Sequence, residues 1–125
     1  MSNFKVIVAG GREFTDYARL SSYLDLLLQM KIDEGITISI ISGTARGADQ
    51  LGERYALERN IDLLRMPAQW NTHGKSAGYK RNAAMAEEGD ALVACWDGES
   101  RGTLHMINIA KKAGLPTRVL EYGSE

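Results

Sequence analysis

The sequence predicts an α/β fold: a single Rossmann-like three-layer domain, with a five-stranded parallel sheet and helices on both faces. Three observations lead to this prediction. Short apolar runs alternate with longer amphipathic segments along the whole chain. The run at residues 4–9 is nearly continuous, which is typical of a strand that is covered on both faces. Glycine-bearing turns follow several of these runs and separate strand from helix.

Five strands and four helices are predicted in alternation. The predicted strands are residues 4–9, 36–41, 61–65, 90–95 and 117–121. The first helix begins after a cap at Thr15 or Asp16 and ends near Glu34. Its inward face is predicted to carry Leu20, Tyr23, Leu24, Leu27 and Met30. The second and third helices are predicted at residues 48–59 and 76–88, and the fourth runs from the turn at Gly102 to Ala113. Residues 67–75 are expected to form a long loop.

The composition fits one globular domain that spans residues 1–125. Hydrophobic residues make up 44% and charged residues 25%, and the net charge of −1 creates no global field that would attract nucleic acid or an anionic membrane. Cys95 is the single cysteine, so no intrachain disulfide is possible. No apolar run is long enough to span a bilayer, and the N-terminus has no signal-peptide pattern. We therefore expect a cytoplasmic protein without a membrane partner.

The predicted strand order is 3-2-1-4-5, in which the order reverses between strands one and four. Ligands of such sheets bind beyond the carboxyl ends of the strands at this reversal. The loops after strands one, two and four meet there, and each of these three loops contains glycine. The flavodoxin-like order 2-1-3-4-5 remains open, because a local pattern cannot decide the order of strands.

Residues 41–49 (Ile-Ser-Gly-Thr-Ala-Arg-Gly-Ala-Asp) predict a strand, a tight glycine turn and a helix N-terminus. This arrangement directs backbone N–H groups and the positive end of a helix dipole at an anion, most often a phosphate. The glycine turns and their polar neighbours define candidate ligand-binding residues: Gly10, Gly11, Gly43, Thr44, Gly47, Gly98 and Gly102 for backbone approach, and Ser42, Ser100 and Thr103 for hydroxyl groups. Arg12, Arg46, Arg81, Arg101 and Lys75 would supply charge, Trp70 or Trp96 a stacking face, and Asn82 and Asp49 or Asp97 further polar contacts.

Several other kinds of site are disfavoured. The glycines of residues 43–47 and 98–102 have three residues between them, which does not match the dinucleotide fingerprint G-x-G-x-x-G. Gly74-Lys75-Ser76 resembles the end of an ATPase phosphate loop, but Gln69 stands where the first glycine of that loop belongs. His73 and His105 have no cysteines or spaced carboxylates near them in sequence, so no metal site is expected. Cys95 is expected to be a small buried hydrophobic residue rather than a nucleophile.

Four segments together resemble the SLOG superfamily, and within it the YspA/YpsA-related branch. They are residues 6–12 (Val-Ile-Val-Ala-Gly-Gly-Arg), 41–49, 78–82 (Gly-Tyr-Lys-Arg-Asn) and 96–103 (Trp-Asp-Gly-Glu-Ser-Arg-Gly-Thr). The turn after strand two is also similar to that of the Smf/DprA proteins, and the turn after strand four to the P-G-G-x-G-T-x-x-E loop of the LOG phosphoribohydrolases. The resemblance implies a sheet of order 3-2-1-4-5 that binds a nucleotide or a nucleotide-derived ligand such as an ADP-ribose relative. It also implies sensing rather than catalysis in much of the superfamily, no required cofactor, and a homo-oligomer.

One departure from the LOG pattern bears on catalysis. Met106 falls where LOG enzymes have their catalytic glutamate, and a thioether cannot act as an acid or base, so LOG-type hydrolysis is disfavoured. Three functions remain in view. The first is a nucleotide-binding module, and the second is a nucleotide hydrolase that uses Asp49 or Asp97, with Glu53 as a further carboxylate. The third is single-stranded DNA binding, which the lack of a winged-helix segment and of surplus positive charge disfavours.

Overall fold

The computed structural model describes residues 3–123 and contains one five-stranded sheet. Its strands are β1 (Asn3–Gly10), β2 (Thr37–Ser42), β3 (Asp62–Arg65), β4 (Ala91–Trp96) and β5 (Thr117–Glu121). The order is β3-β2-β1-β4-β5, and each neighbouring pair is parallel. The predicted Rossmann-like fold and strand order are therefore confirmed, and the flavodoxin-like alternative is wrong.

Four long helices connect the strands. They are α1 (Tyr17–Asp33), α2 (Ala48–Glu58), α4 (Ala77–Glu88) and α5 (Arg101–Lys112), while α3 (Trp70–His73) is a single turn. The predicted long loop at 67–75 is thus only partly correct, because α3 and a 3₁₀ turn (Gly74–Ser76) lie within it. Asp16 caps α1 by accepting a hydrogen bond from the Arg19 N–H at 3.1 Å. Among residues 3–123, no helix combines the length and apolar character that crossing a membrane requires.

The sheet separates two apolar clusters, because successive side chains of each strand point to opposite faces. On one face, Val6 and Val8 of β1 pack in the cluster that includes residues of α1 and α2. On the other face, Ile7 and Ala9 pack with residues of α4 and α5. The result is a three-layer domain whose sheet has no solvent-facing side along its central strands.

The predicted inward face of α1 contains one error. Leu20 and Leu24 are fully buried as expected, but Met30 is 72% exposed and Leu28 takes the next buried position. At 3.6 residues per turn, Met30 lies about 160° around the helix from Leu28. The buried stripe therefore follows a spacing of four residues, and Met30 falls outside it.

A glycine in α2 sets the close approach of this helix to the central strand. A Cβ atom at Gly52 would lie 2.7 Å from the Val8 Cβ, which is shorter than any normal contact. Glycine at this position lets the helix lie directly on β1. The N-terminus of α2 is thereby placed next to the carboxyl end of β1, where the candidate site begins.

Candidate functional site

A cleft of about 460 Å³, here called the main cleft, opens beyond the carboxyl ends of β1 and β4, where the strand order reverses. Its volume lies within the range of small-molecule sites. Residues after β1, β2, β4 and β5 line it, together with the segment that begins α4 and α5. The lining includes Ala9, Gly10, Gly11, Arg12, Glu13, Ala45, Asp49, Trp70, Lys75, Gly78, Tyr79, Arg81, Asn82, Met85, Asp97, Ser100, Gly102, Thr103, Met106 and Tyr122.

Most of the residues predicted from the sequence as ligand-binding line this cleft. Gly43, Thr44 and Arg46 instead line a smaller neighbouring cleft, which Arg12, Trp70 and Arg81 also border. Five predicted residues border neither cleft: Ser42, Gly47, Trp96, Gly98 and Arg101. The structure therefore brings the three glycine-bearing loops together at one edge of the sheet. Several of their side chains stabilise the loops themselves and do not line the cleft.

Ser42 and Trp96 illustrate this structural role. Ser42 is fully buried, and its hydroxyl donates to Glu53 Oε2 at 2.7 Å while accepting the Thr44 N–H at 3.0 Å. The Trp96 indole N–H donates to the Ser100 carbonyl at 3.1 Å, and the ring packs against the apolar cluster beneath α4 and α5. Ser42 thus shapes the loop after β2, and Trp96 closes the loop after β4.

Gly47 fastens the loop after β2 to the loop after β1. It has a φ of +83°, and a Cβ atom there would lie 2.3 Å from the Gly11 carbonyl oxygen. The neighbouring Ala48 N–H donates to the same oxygen at 3.2 Å. The first N–H of α2 is therefore used to hold the two loops together, and only glycine fits between them.

Asp49 and Arg81 both lie next to Gly43 at the wall of the main cleft. Asp49 is 4% exposed, and its Oδ2 accepts the Ala45 N–H at 3.1 Å. Burial raises the pKa of Asp49 to about 6, against the opposing effects of the Ala45 hydrogen bond and the Arg81 charge. Arg81 Nη1 donates to the Gly43 carbonyl. A Cβ atom at Gly43 would lie 2.5 Å from Arg81 Nη1 and 2.9 Å from Asp49 Oδ2, so a side chain at this position would collide with both groups.

Asn82 connects Arg81 to α5. Its Oδ1 accepts from Arg81 Nε at 3.1 Å, so its Nδ2 must act as the donor toward His105 Nδ1 at 3.1 Å. His105 then has its proton on Nε2, and burial lowers its pKa. The His105 ring lies against Tyr79 with 4.4 Å between centroids. A buried amide therefore orients an arginine of the cleft and fixes the tautomer of a histidine behind it.

Asp97 has a different environment from Asp49. One of its oxygens accepts the N–H groups of Glu99 and Ser100, both at 2.8 Å, and these bonds lower its pKa. Ser100 in turn caps α5 by accepting the Thr103 N–H at 3.5 Å. Asp97 thus shapes its turn as a carboxylate. Of the two predicted catalytic candidates, Asp49 is the one whose pKa is raised toward neutral pH.

Two cations without ion-pair partners among the described residues and two partly exposed aromatic rings face the main cleft. Within the described chain, Arg12 and Lys75 form no ion pair. Trp70 is 55% exposed and Tyr79 is 49% exposed at the rim. No group of three or more His, Cys, Asp or Glu side chains within residues 3–123 is placed to hold a metal ion. The two cations and the two rings would be complementary to a ligand that combines an anionic group with a flat ring.

The sequence did not single out Glu13, Tyr122 or His105 as site residues. Tyr122 follows β5 and reaches the cleft above Gly11, where a Cβ atom would overlap its hydroxyl oxygen. Its position could have been anticipated, because the carboxyl end of β5 lies at the same edge of the sheet as that of β4. The contact of His105 with Asn82 joins two helices, and no local pattern signals it.

Comparison with known proteins identifies the family of this chain. The profile of the family described as "YspA, cpYpsA-related SLOG family" matches residues 4–73, which include β1, β2 and both of their loops. The chain is similar to the "Gene 61 protein" of Mycobacterium phage D29, with 32% identity over 127 aligned positions that cover 97% of this chain and 98% of the phage protein. The resemblance inferred from the four sequence segments is thereby confirmed, and the chain belongs to the YspA, cpYpsA-related SLOG family.

Proposed function

We propose that the protein binds a nucleotide or a nucleotide-derived ligand in the main cleft and acts as a sensor or sequestering module. The observation that supports this most is the location of the unpaired cations Arg12 and Lys75 beside glycine loops at the strand-order reversal. Membership of the SLOG family independently suggests a role in binding or processing a nucleotide-related ligand. The two lines of argument are separate, since one is geometric and the other comes from sequence similarity.

The phosphate of the ligand is proposed to lie between Arg12, Lys75 and Arg81. A guanidinium presents a planar fork of donors that matches phosphoryl oxygens, and an ammonium adds a mobile point charge. Among the glycines of the cleft, Gly102 has no atom within 4 Å of the position that a Cβ would occupy, so the backbone there can approach the anion. Arg81 is held in place by Gly43 and Asn82, so little ordering is required when the ligand arrives.

The base or ribose is proposed to lie against the exposed rings of Trp70 and Tyr79. Flat aromatic side chains stack on nucleobases with little loss of rotamer freedom. Met85 and Met106 form an apolar floor nearby and are almost completely buried. The main cleft thus combines a cationic part and a flat apolar part, as a nucleotide requires.

Titration calorimetry with adenosine 5′-monophosphate, diphosphate and triphosphate tests this proposal. We expect wild-type protein to bind at least one of them with a dissociation constant below about 1 mM. We expect Arg12→Gln to weaken that binding about tenfold, because it removes a charge-assisted hydrogen bond from an exposed side chain that holds nothing else in place. Arg118→Gln is the matched control, since Arg118 is an exposed arginine of β5 that borders neither cleft.

Two results would overturn the nucleotide proposal. One is the absence of measurable binding of all three nucleotides, and the other is an equal effect of the Arg12 and Arg118 substitutions. Retention of single-stranded DNA that declines steeply with salt would support the nucleic-acid alternative instead, because release of counterions governs such binding.

A hydrolase that cleaves a nucleotide is the second candidate, and Asp49 is the observation that favours it. A carboxyl group with a pKa near 6 inside the cleft suits general acid catalysis at neutral pH. This candidate predicts product formation from nucleoside phosphates that Asp49→Asn lowers by at least about a hundredfold while binding persists. Chromatography of the reaction mixture measures it. Tight binding without any turnover would remove the hydrolase and leave the binding module.

A further inference from the structure

The smaller cleft has a volume of about 320 Å³ and lies beyond the ends of β2 and β3. The loop after β2 forms one wall through Gly43, Thr44, Ala45 and Arg46, and Pro67 and Ala68 after β3 form the other. Arg12, Ala45, Trp70 and Arg81 line both this cleft and the main cleft. The two clefts therefore adjoin along a shared border that contains two arginines.

The loop that forms the smaller cleft is held in a single conformation. Thr44 has a φ of +70°, which is uncommon for a residue with a branched Cβ. Its N–H is bonded to Ser42 Oγ, and the next N–H, from Ala45, is bonded to Asp49 Oδ2. Backbone strain of this kind persists only where its surroundings enforce it, and it is concentrated at ligand sites. The wall is thus formed before any ligand is bound.

Arg46 is the cation that belongs to the smaller cleft alone. Its Nη2 donates to Glu13 Oε1 at 2.6 Å, and both side chains are mainly exposed. Exposed ion pairs of this type contribute little, whereas a phosphoryl group can accept two bonds from one guanidinium. An arriving phosphoryl group can therefore replace Glu13 as the partner of Arg46.

We propose that the smaller cleft binds a second phosphoryl group of the same ligand, set apart from the one held at Arg12 and Arg81. This inference rests on the proposed function and narrows the class of ligand. The clefts adjoin along Arg12 and Arg81, and Arg46 lines the smaller cleft alone. A phosphate chain that begins in the main cleft can continue past this border to Arg46, and the ligand class is thus a multiply phosphorylated nucleotide rather than a nucleoside monophosphate.

Calorimetric titration of wild-type, Arg46→Gln and Arg118→Gln proteins with adenosine 5′-monophosphate and adenosine 5′-triphosphate tests this inference. We expect the triphosphate to bind wild type at least about tenfold more tightly than the monophosphate. Arg46→Gln should weaken triphosphate binding about tenfold and change monophosphate binding by less than about threefold. Arg118→Gln, which changes the total charge equally, should leave both affinities unchanged, and thermal melting verifies that each variant is folded.

The possible failures are distinguishable. Monophosphate binding without a gain from the additional phosphoryl groups overturns this inference and leaves the proposed function intact. An Arg46→Gln variant that weakens both ligands equally, or neither, also overturns the inference. If neither the monophosphate nor the triphosphate binds, the inference and the proposed function are overturned together.

Discussion

Replacement of Gly47 by alanine is expected to lower the free energy of unfolding by about 3 kcal/mol or more. Two costs add at this position. The backbone has φ +83° and ψ −129°, a region that residues with a Cβ atom rarely adopt. The new Cβ would also meet the Gly11 carbonyl at 2.3 Å, and this contact is with backbone that cannot rotate away. Chemical denaturation of the two proteins, with equal m-values, measures the difference.

Gly102→Ala provides the matched control for Gly47→Ala. Gly102 lies within α5, does not have a positive φ, and has no atom within 4 Å of the position that a Cβ would occupy. Alanine there should stabilise the protein by about 0.5–1 kcal/mol, because it restricts the unfolded chain and favours helix. If Gly47→Ala proves as stable as wild type, the loops after β1 and β2 do not contact each other as described. The description of this wall of the main cleft would then be wrong.

The fold was predictable because short strands alternate with helices whose ends carry stop signals. Residues 117–121 were predicted as a strand after the stop signal at Gly114 and Pro116, and this prediction matches the observed β5 at both ends. The strand order was predicted from the composition of the loops rather than from hydrophobic periodicity. Three loops contain glycine and polar side chains, and the order 3-2-1-4-5 brings them together at one edge of the sheet. Met30 was mispredicted because the width of a buried stripe depends on how α1 crosses the sheet, which sequence periodicity does not contain.

The site was less predictable, because its decisive contacts join residues that are distant in sequence. The bond from Arg81 to Gly43 spans 38 positions, and the one from Asn82 to His105 spans 23. Residue type alone placed Arg46 and Arg81 together as charged candidates, whereas only the structure shows that Arg46 lines the smaller cleft alone and that Arg81 borders both clefts. The short helix α3 was missed for a related reason, since four residues are too few to display a helical repeat.

The second large effect is expected from Asp49, through the dependence of stability on pH. Its pKa is about 6 in the folded protein against 3.8 as a reference, so between these values the folded state keeps a proton that the unfolded state has lost. Stability from this group is therefore greatest below about pH 4, declines as pH rises, and becomes constant above about pH 6. The total change is about 3 kcal/mol, at 1.4 kcal/mol for each pKa unit.

Asp49→Asn isolates this contribution, because the amide does not titrate and its oxygen can still accept the Ala45 N–H. Other carboxyl groups, such as Asp25 and Asp97, have lowered pKa values and act in the opposite direction, but they are common to both proteins. The free energy of unfolding of the variant minus that of wild type should therefore rise by about 3 kcal/mol from pH 4 to pH 7, as measured by urea denaturation across that range. A difference that falls with pH would mean that attraction by Arg81 outweighs the cost of burial. The pKa of Asp49 would then lie below its reference value, and the general-acid role on which the hydrolase candidate depends would be lost.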